Sequence, residues 1–305
     1  MSTFDTGPTL DPTRPLIAAG NLRRRRRMDL LMRGVATAAA GIAVAILLIV
    51  IATVAGKGAS QLSISFLVKD PAVGIGSVGG GIASAIVGTG LIVALATVMA
   101  LPVGVLIAIY LTEFSTPRTA RPIRLVLDLL NGMPSIVIGV FVYGLLIEGH
   151  QQAGWAGSFA LSIIMVPLVA RATGEMLLLV PRELREASHA LGISRWRTIV
   201  GIVLPSSLGG ILTGTVLAIA RAAGETAPLL FTSSIFSNST TVNIFGTALP
   251  NIPYLIFQDS ESAFPADHAR AWGAALVLIV FILIGNLGAR AMLCHGERDE
   301  HNKER

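Results

Sequence analysis

Charged side chains are scarce in this sequence. They make up 13% of its 305 residues, whereas a soluble globular domain carries about 25%. Hydrophobic residues make up 53%, and many stand in apolar runs of about 20 residues, the length that crosses a bilayer. The composition therefore excludes a soluble domain and predicts a membrane protein. The net charge of +5 is unevenly placed, which argues against a nucleic-acid partner and makes charge an indicator of topology.

Several chemical features are also missing. The single cysteine, Cys294, cannot form a disulfide within the chain. The apolar segments hold no cluster of histidines or cysteines and no nucleophile–base pattern, which argues against a membrane-embedded enzyme. The phosphate-binding pattern G-x-x-x-x-G-K-[ST] is absent, since Gly56-Lys57 lacks the preceding glycine-rich loop and a following Ser or Thr. We therefore expect no cofactor, neither ATP nor Mg²⁺, on this chain, and no enzymatic activity.

Six apolar segments are long enough to span a bilayer. They cover approximately residues 34–55, 82–111, 125–147, 157–180, 206–231 and 272–293. Backbone groups in lipid must be hydrogen-bonded within the segment, so each is predicted to be a helix. Their small residues are typical of close helix–helix packing. The sequence thus predicts an all-α, polytopic membrane bundle of six transmembrane helices over residues 34–293.

The termini are polar. Residues 1–33, which end in the run Arg23–Arg27, are predicted to be a disordered tail, and residues 294–305 form a second tail. A cleaved signal peptide is the alternative for the N-terminus, but the first apolar run exceeds the roughly 7–15 residues of a signal. Most arginines lie in segments that are cytoplasmic if the N-terminus is inside. The positive-inside rule therefore predicts both tails in the cytoplasm.

The segments predicted to lie outside hold few basic residues, only Lys57, Lys69 and Arg270. Two of these outer connections are long, residues 56–81 with the glycine-rich Gly74–Gly81 and residues 232–271 with Asp259, Glu261 and Asp267. They are long enough to form a docking surface. The alternative is that they are flexible loops.

A patterned polar stretch, residues 182–205, separates the fourth and fifth predicted spans. Glu186-Ala187-Ser188, then Gly192, then Ile202 and Leu204-Pro205 resembles the E-A-A, three residues, Gly, nine residues, I-x-L-P signature of ABC-importer permeases. Every spacing is kept, and the one departure is Ser188 in place of a second alanine. The resemblance implies the ABC type I importer permease fold and a cytoplasmic coupling loop that docks on an ATP-hydrolysing subunit. An ordinary solvated loop is the alternative.

Two arginines, Arg171 and Arg221, lie near the middle of the fourth and fifth spans. Placing an arginine there costs about 2.5–3.5 kcal/mol, so such residues usually face the bundle interior and serve a function. Glu175 and Glu225 follow them at i+4, on the same helical faces. One interpretation is that each pair neutralises itself and holds the bundle together. The other is that the guanidinium forks bind an oxyanion in transit. The glutamates then hold the arginines or accept a hydrogen bond from a protonated phosphate.

A narrower resemblance involves two segments. Arg221–Phe231 is similar to the R-A-x-G-E-T-A-P-L-L-F segment of PstA-type permeases of phosphate-specific ABC importers, and Asn131–Gly139 is similar to the G-x-P-S-I-V-x-G segment of that family. The resemblance covers approximately residues 30–295. It implies that Arg171 and Arg221, with Glu225, lie on the phosphate path, and Glu175 is the corresponding acid of the first pair.

Helix-breaking residues occur in the same segments. Pro134 in the third span and Pro228 in the fifth free backbone carbonyls and are expected to kink or break their helices. Irregular backbone at membrane depth is tolerated where it lines a cavity. The predicted structural or gating positions are Pro134, Ser135, Gly224 and Pro228. Asp128 and Asn131, at the inner end of the third span, are interpreted as interfacial polar residues.

The predicted function is that of the permease subunit of an ATP-driven phosphate importer in the cell membrane. The resemblance implies a heterodimer with a PstC-type permease, two PstB-type ATPase subunits that use ATP and Mg²⁺, and an extracytoplasmic phosphate-binding protein. The residues alone support only a small oxyanion as substrate. The alternative is a self-contained ion-coupled oxyanion carrier or channel, in which residues 182–205 would have no role.

Overall fold

The computed structural model describes residues 22–71, 79–234 and 239–303. Within these residues every regular element is a helix, and one isolated bridge joins Pro71 to Gly80. The predicted all-α class is confirmed. The chain divides into two compact units, residues 1–53 and 54–305, and each is described by itself.

The described part of the first unit belongs to helix α1, which runs Leu22–Gly58 and continues past the end of the unit. The helix begins before the predicted start at residue 34, so the run Arg23–Arg27 is helical. Arginine, leucine and methionine favour helix nearly as well as alanine, and Arg33 pairs with Asp29 at 3.0 Å. Part of the tail predicted to be disordered is therefore helical, while residues 1–21 lie outside the described residues.

Among the described residues, five helices are long and apolar enough to cross a membrane, or six when one bent pair counts as a span. The five contain α1, α3 (Ala83–Ile109), α6 (Gly154–Leu179), α9 (Leu204–Ala223) and α12 (Pro265–Lys303). The short helix α2 (Ile64–Val68) precedes α3. α12 continues through most of the predicted C-terminal tail. The ends of α3 and α6 agree with the predicted spans to within a few residues.

The third predicted span is bent. α4 (Pro117–Gly132) and α5 (Ser135–Val142), which a π-helical turn extends to Ile147, meet at 98°. The break lies at Met133 and Pro134, because proline disfavours helical conformation in the residue before it. Met133 accordingly has an extended backbone with ψ of 133°. Residues 125–147 therefore do not form one continuous helix, and the break lies at Pro134, the residue expected to kink or break this span.

The fifth predicted span is interrupted in a similar way. α9 ends at Ala223, and the short helix α10 (Ala227–Thr232) follows after three residues that include Gly224. Pro228 lies in the first turn of α10, where a backbone N–H would have no helical partner anyway. At its other end the span is longer than predicted, because α8 (Arg195–Thr198) and a π-helical turn run into α9.

Small residues allow α3 and α6 to pack closely. Ala96, Ala100 and Ala160 are fully buried at this contact or beside it in the same core. A Cβ atom at Gly104 would lie 2.8 Å from Cβ of Val169, so glycine permits this approach of the two backbones. Packing of small residues replaces the hydrophobic effect as the driving force between helices in lipid. This contact aligns the C-terminal half of α3 with the half of α6 that carries Arg171.

The connection 232–271 is partly ordered by a buried ion-pair network. Its helix α11 (Ile252–Ser260) ends near Asp259, which accepts hydrogen bonds of 2.7 Å from both Nε and Nη2 of Arg270 in α12. Asp267 accepts a third, at 3.0 Å. Burial raises the pKa of Asp259 although the hydrogen bond and charge of Arg270 lower it. Two hydrogen bonds of the network thus join α11 to the first turns of α12.

This network limits which residues of the connection 232–271 the predicted docking surface could use. Asp259 and Asp267 are buried with Arg270, so they are not available to a partner in this structure, whereas Glu261 is exposed. In the other outer connection, residues 72–78 of the glycine-rich stretch lie outside the described residues.

Candidate functional site

The side chain of Arg171 reaches across from α6 to α4. Its Nη2 donates a short hydrogen bond to Oδ1 of Asp128, and both side chains are about half exposed, at 55% and 60%. Asp128 lies on the last turns of α4, just before the bend at Pro134. The ion pair therefore joins the helix that carries the predicted path arginine to the broken third span.

A cavity of about 270 Å³ lies beside this ion pair. Its walls come from the C-terminal end of α3, from α4 and from α6. Four charged residues line it, Arg124, Asp128, Arg171 and Glu175. A larger cavity of about 600 Å³ shares Arg124 and Asp128 with it and adds Arg121. The arrangement offers two to three guanidinium groups to an anion, with carboxylates close enough to balance them when no anion is bound.

The predicted pairing of Arg171 with Glu175 is not found, since Arg171 pairs with Asp128 instead. A helical ion pair with the base before the acid is the less favourable order, so a carboxylate from a neighbouring helix competes well. The predicted pairing of Arg221 with Glu225 is present at 3.8 Å between Nε and Oε1. Arg221 does not line the cavity of Arg171; it lies in the last turn of α9, at the break before α10.

The predicted gating positions lie at the two helix breaks, and the segments that follow those breaks touch. Ser135 begins α5 directly after Pro134. Gly139 of α5 lies against α10, where a Cβ atom would be 2.7 Å from Cα of Pro228. Gly224 ends α9. The third and fifth spans are therefore in contact through their irregular parts.

Residues 182–205 form helices rather than a loop. α7 (Arg182–Ala190) contains Glu186, Ala187 and Ser188, and it ends in a turn at Gly192. The φ of Gly192 is 75°, in the left-handed region that favours glycine. This conformation explains the glycine of the signature. Leu204 and Pro205 are the first residues of α9, so the end of the signature lies inside the fifth span.

The small residue at the third position of the signature has a structural partner. The hydroxyl groups of Ser188 in α7 and Thr198 in α8 are 2.7 Å apart, and both residues are buried. Glu186, Ala187 and Gly192 are exposed. The exposed face of α7 therefore carries Glu186 and Ala187, and Ser188 on its other face attaches α7 to α8.

Sequence reasoning missed Asp128 and Arg124 as residues of the cavity. Asp128 is the only acidic residue in the predicted third span, and Arg124 directly precedes that span. A lone acid in an apolar segment is a signal for a buried or paired partner. The sequence does not reveal the size of the bend between α4 and α5. Because of this bend, α4 lies against α6, and Asp128 comes within reach of Arg171.

Comparison with known proteins adds the following. Residues 100–293 match the family model described as "Binding-protein-dependent transport system inner membrane component". The "Phosphate transport system permease protein PstA" of Yersinia pestis is 44% identical over 216 residues, 70% of this chain and 72% of that protein. The protein of the same name from Pasteurella multocida (strain Pm70) is 41% identical over 241 residues, 78% of this chain and 84% of that protein.

Solved structures share the fold. A chain of a bacterial alginate ABC transporter superimposes with a TM-score of 0.63 at 14% identity, over 90% of this chain and 97% of that chain. A chain of the inward-facing MetNI methionine ABC transporter superimposes with a TM-score of 0.55 at 18% identity, over 70% of this chain and 94% of that chain. At these identities the likeness concerns the fold alone, and it confirms the predicted ABC importer permease fold.

Proposed function

Because the chain belongs to the family of binding-protein-dependent transport system inner membrane components, we propose that it is the permease subunit of an ATP-driven phosphate importer and forms half of its translocation path. The substrate is supported by the relatives, which are named phosphate transport permeases. The observation in this molecule that carries the proposal is the Arg171 guanidinium, which lines an open cavity between α3, α4 and α6 and holds a carboxylate oxygen.

The ion pair of Arg171 with Asp128 indicates how an oxyanion would be received. A carboxylate presents the same kind of oxygen as a phosphate, so Asp128 occupies the position that a phosphate oxygen would take. An ion pair this exposed contributes only about 0–1 kcal/mol, so its replacement by phosphate costs little. Arg124 supplies a second guanidinium on the same cavity wall. Phosphate would therefore exchange with Asp128 rather than enter an empty site.

Arg221 at the break between α9 and α10 is proposed as a second position on the path, with Glu225 as its resting partner. Glu175 on the cavity wall and Glu225 accept a hydrogen bond from a protonated phosphate oxygen, which fully ionised sulfate cannot donate. If Glu175→Gln and Glu225→Gln variants transport phosphate and exclude sulfate as well as the parent protein, the glutamates have no such role.

The segment α7–α8 is proposed to dock on the ATPase subunit through Glu186, Ala187 and the turn at Gly192. Leu191 and Trp196, on either side of that turn, are 79% and 54% exposed. Apolar side chains grouped on a polar segment outside the membrane mark a surface that a protein partner covers. Ser188, Leu204 and Pro205 support this surface from within.

The proposed assembly follows the family resemblance. It contains a PstC-type permease as the heterodimer partner, two PstB-type ATPase subunits and an extracytoplasmic phosphate-binding protein. ATP and Mg²⁺ are used by the ATPase subunits, so this subunit is non-hydrolytic and carries no cofactor. The chain is a multi-pass protein of the cell membrane with both termini in the cytoplasm, which places α7–α8 on the side where ATP is available.

The test is phosphate uptake by the complete transporter carrying Arg171→Lys or Arg221→Lys. Lysine keeps the positive charge but loses the bidentate fork. We expect uptake to fall by roughly tenfold in each variant, the equivalent of one charge-assisted hydrogen bond of about 1.5 kcal/mol. Arg118→Lys is the control, because Arg118 is exposed on α4 and lines neither cavity. Unchanged uptake in both assembled variants would contradict the oxyanion site and leave the permease assignment standing.

A further inference from the structure

The side chain of Arg185 in α7 contacts the ends of two other helices. It is 19% exposed, and its partner Glu113 is 9% exposed. Oε1 of Glu113 accepts hydrogen bonds from Nη2 at 2.9 Å and from Nε at 3.2 Å. Glu113 belongs to the π-helical turn Tyr110–Phe114 that ends α3. This fork-shaped contact therefore fixes the orientation of α7 against the inner end of the second span.

The same guanidinium also caps α6. Nη2 donates to the carbonyl oxygen of Leu177 at 2.8 Å, and Nη1 donates to that of Val180 at 2.6 Å. The last carbonyls of a helix have no partner within the helix, and together they carry its partial negative charge. A single side chain of α7 thus holds the inner ends of two membrane helices, α3 and α6.

Those two helix ends are also walls of the cavity described above. Leu111 and Thr112, which line it, directly precede Glu113, and Leu178, which also lines it, directly follows Leu177. Arg171 lies on α6 fewer than two turns from Leu177, about 9 Å along the axis. The contact of Arg185 with Leu177 is therefore within two helical turns of the proposed phosphate-binding guanidinium.

We infer that the Glu113–Arg185 pair is the joint through which movement of the docking helix α7 reaches the walls of the substrate cavity. The inference rests on the proposed function and adds a positioning residue to it. Separating this partly buried ion pair leaves charge in a poorly solvated place, so α7, α3 and α6 move together while the pair is intact. Exposed contacts of α7 do not have this property, because water replaces them readily.

The experiment measures phosphate uptake and ATP hydrolysis in the same proteoliposomes, which contain the complete transporter and the phosphate-binding protein. The variants are Arg185→Gln, Arg185→Lys and Glu113→Gln, and Arg118→Gln is the charge-matched control on the same side of the membrane. We expect phosphate moved per ATP hydrolysed to fall by roughly tenfold in Arg185→Gln, within the usual range for coupling between two sites. ATP hydrolysis and the control should stay near the parent values. Arg185→Lys keeps the charge but loses the fork, so its ratio of phosphate moved to ATP hydrolysed should lie between those of the parent and Arg185→Gln.

The outcomes separate the inference from the proposed function. Failure of the parent transporter to move phosphate with ATP would overturn the proposed function. A working parent whose variants keep the same ratio of transport to hydrolysis, even if both rates fall together, would overturn the inference alone. Failure of all three variants to assemble would also overturn it, because the pair would then act in folding and not in transmission. Retained assembly with a lowered ratio in Arg185→Gln and Glu113→Gln supports it.

Discussion

Asp128 provides the carboxylate that Arg171 holds, although Glu175 stands one turn away on the same helix as the arginine. The charge of Arg171 is therefore neutralised by a contact between two helices, α6 and α4. Such a contact has two consequences that a pair within one helix lacks. It ties α4 to α6, and under the proposed function it would be released when an anion takes the place of Asp128.

Asp128→Asn tests this exchange. The asparagine cannot compete as an anion, so we expect phosphate to bind the purified transporter more tightly, by up to about fivefold, because an exposed ion pair is worth at most about 1 kcal/mol. Equilibrium binding of radiolabelled phosphate in the absence of the binding protein measures the change. Asp29→Asn is the control, since Asp29 also pairs with an arginine but lies in α1. Weaker or unchanged binding in Asp128→Asn would show that Asp128 does not occupy the phosphate position.

At the scale of helices, the two interrupted spans support each other. α5 and α10 each begin beside a proline, and they meet where Gly139 lies against Pro228. The atom that a side chain at Gly139 would meet is a backbone Cα, which cannot turn away as a flexible side chain can. This contact therefore requires glycine, and it holds together the two places where helical hydrogen bonding is broken.

Gly139→Ala is expected to destabilise the assembled transporter by about 1–3 kcal/mol, the usual cost of overpacking a well-packed contact. The matched control is Gly144→Ala in the same span, where an added Cβ atom has no neighbour within 4 Å. Denaturation midpoints of the two purified variants in detergent make the comparison. Equal midpoints would mean that α5 and α10 can separate without cost, and the gating role of Pro134 and Pro228 would lose its support.

At the scale of the whole molecule, the chain has the features of a transporter subunit whose conformational change is driven by partner proteins. Its family is that of binding-protein-dependent transport components, and α7 and α8 expose Leu191 and Trp196 beside the signature turn. A self-contained carrier would have no use for that surface. The two functions considered from the sequence, a permease subunit and a self-contained carrier, therefore predict different transport by the isolated chain.

The isolated chain, reconstituted in liposomes, is expected to accumulate no phosphate under an imposed proton or sodium gradient, because conformational change must be biased by contacts with a partner. Uptake should appear when the partner permease, the ATPase subunits, the binding protein and ATP are supplied. The measurement is radiolabelled phosphate retained in the vesicles. Gradient-driven accumulation by this chain alone would favour the carrier.

The sequence by itself determined the all-α membrane class, the ends of α3 and α6, and the prolines at which two spans break. These properties depend on the length of apolar runs and on local backbone chemistry, so neighbouring residues are enough to predict them. The signature around Gly192 also belongs here, because its turn needs a positive φ wherever the segment lies. The family assignment, which was predicted from the same local motifs, is confirmed by the relatives.

Only the tertiary structure decided the partners of the charged residues. Asp128 with Arg171, Glu113 with Arg185 and Asp259 with Arg270 pair across different helices. The first of these pairs includes a residue of α4, which meets α5 at 98°, and all three depend on the rotation of each helix about its axis, which hydropathy does not encode. The start of α1 at Leu22 differs from the prediction for another reason: the arginine run is polar enough to suggest disorder, yet its residues favour helix.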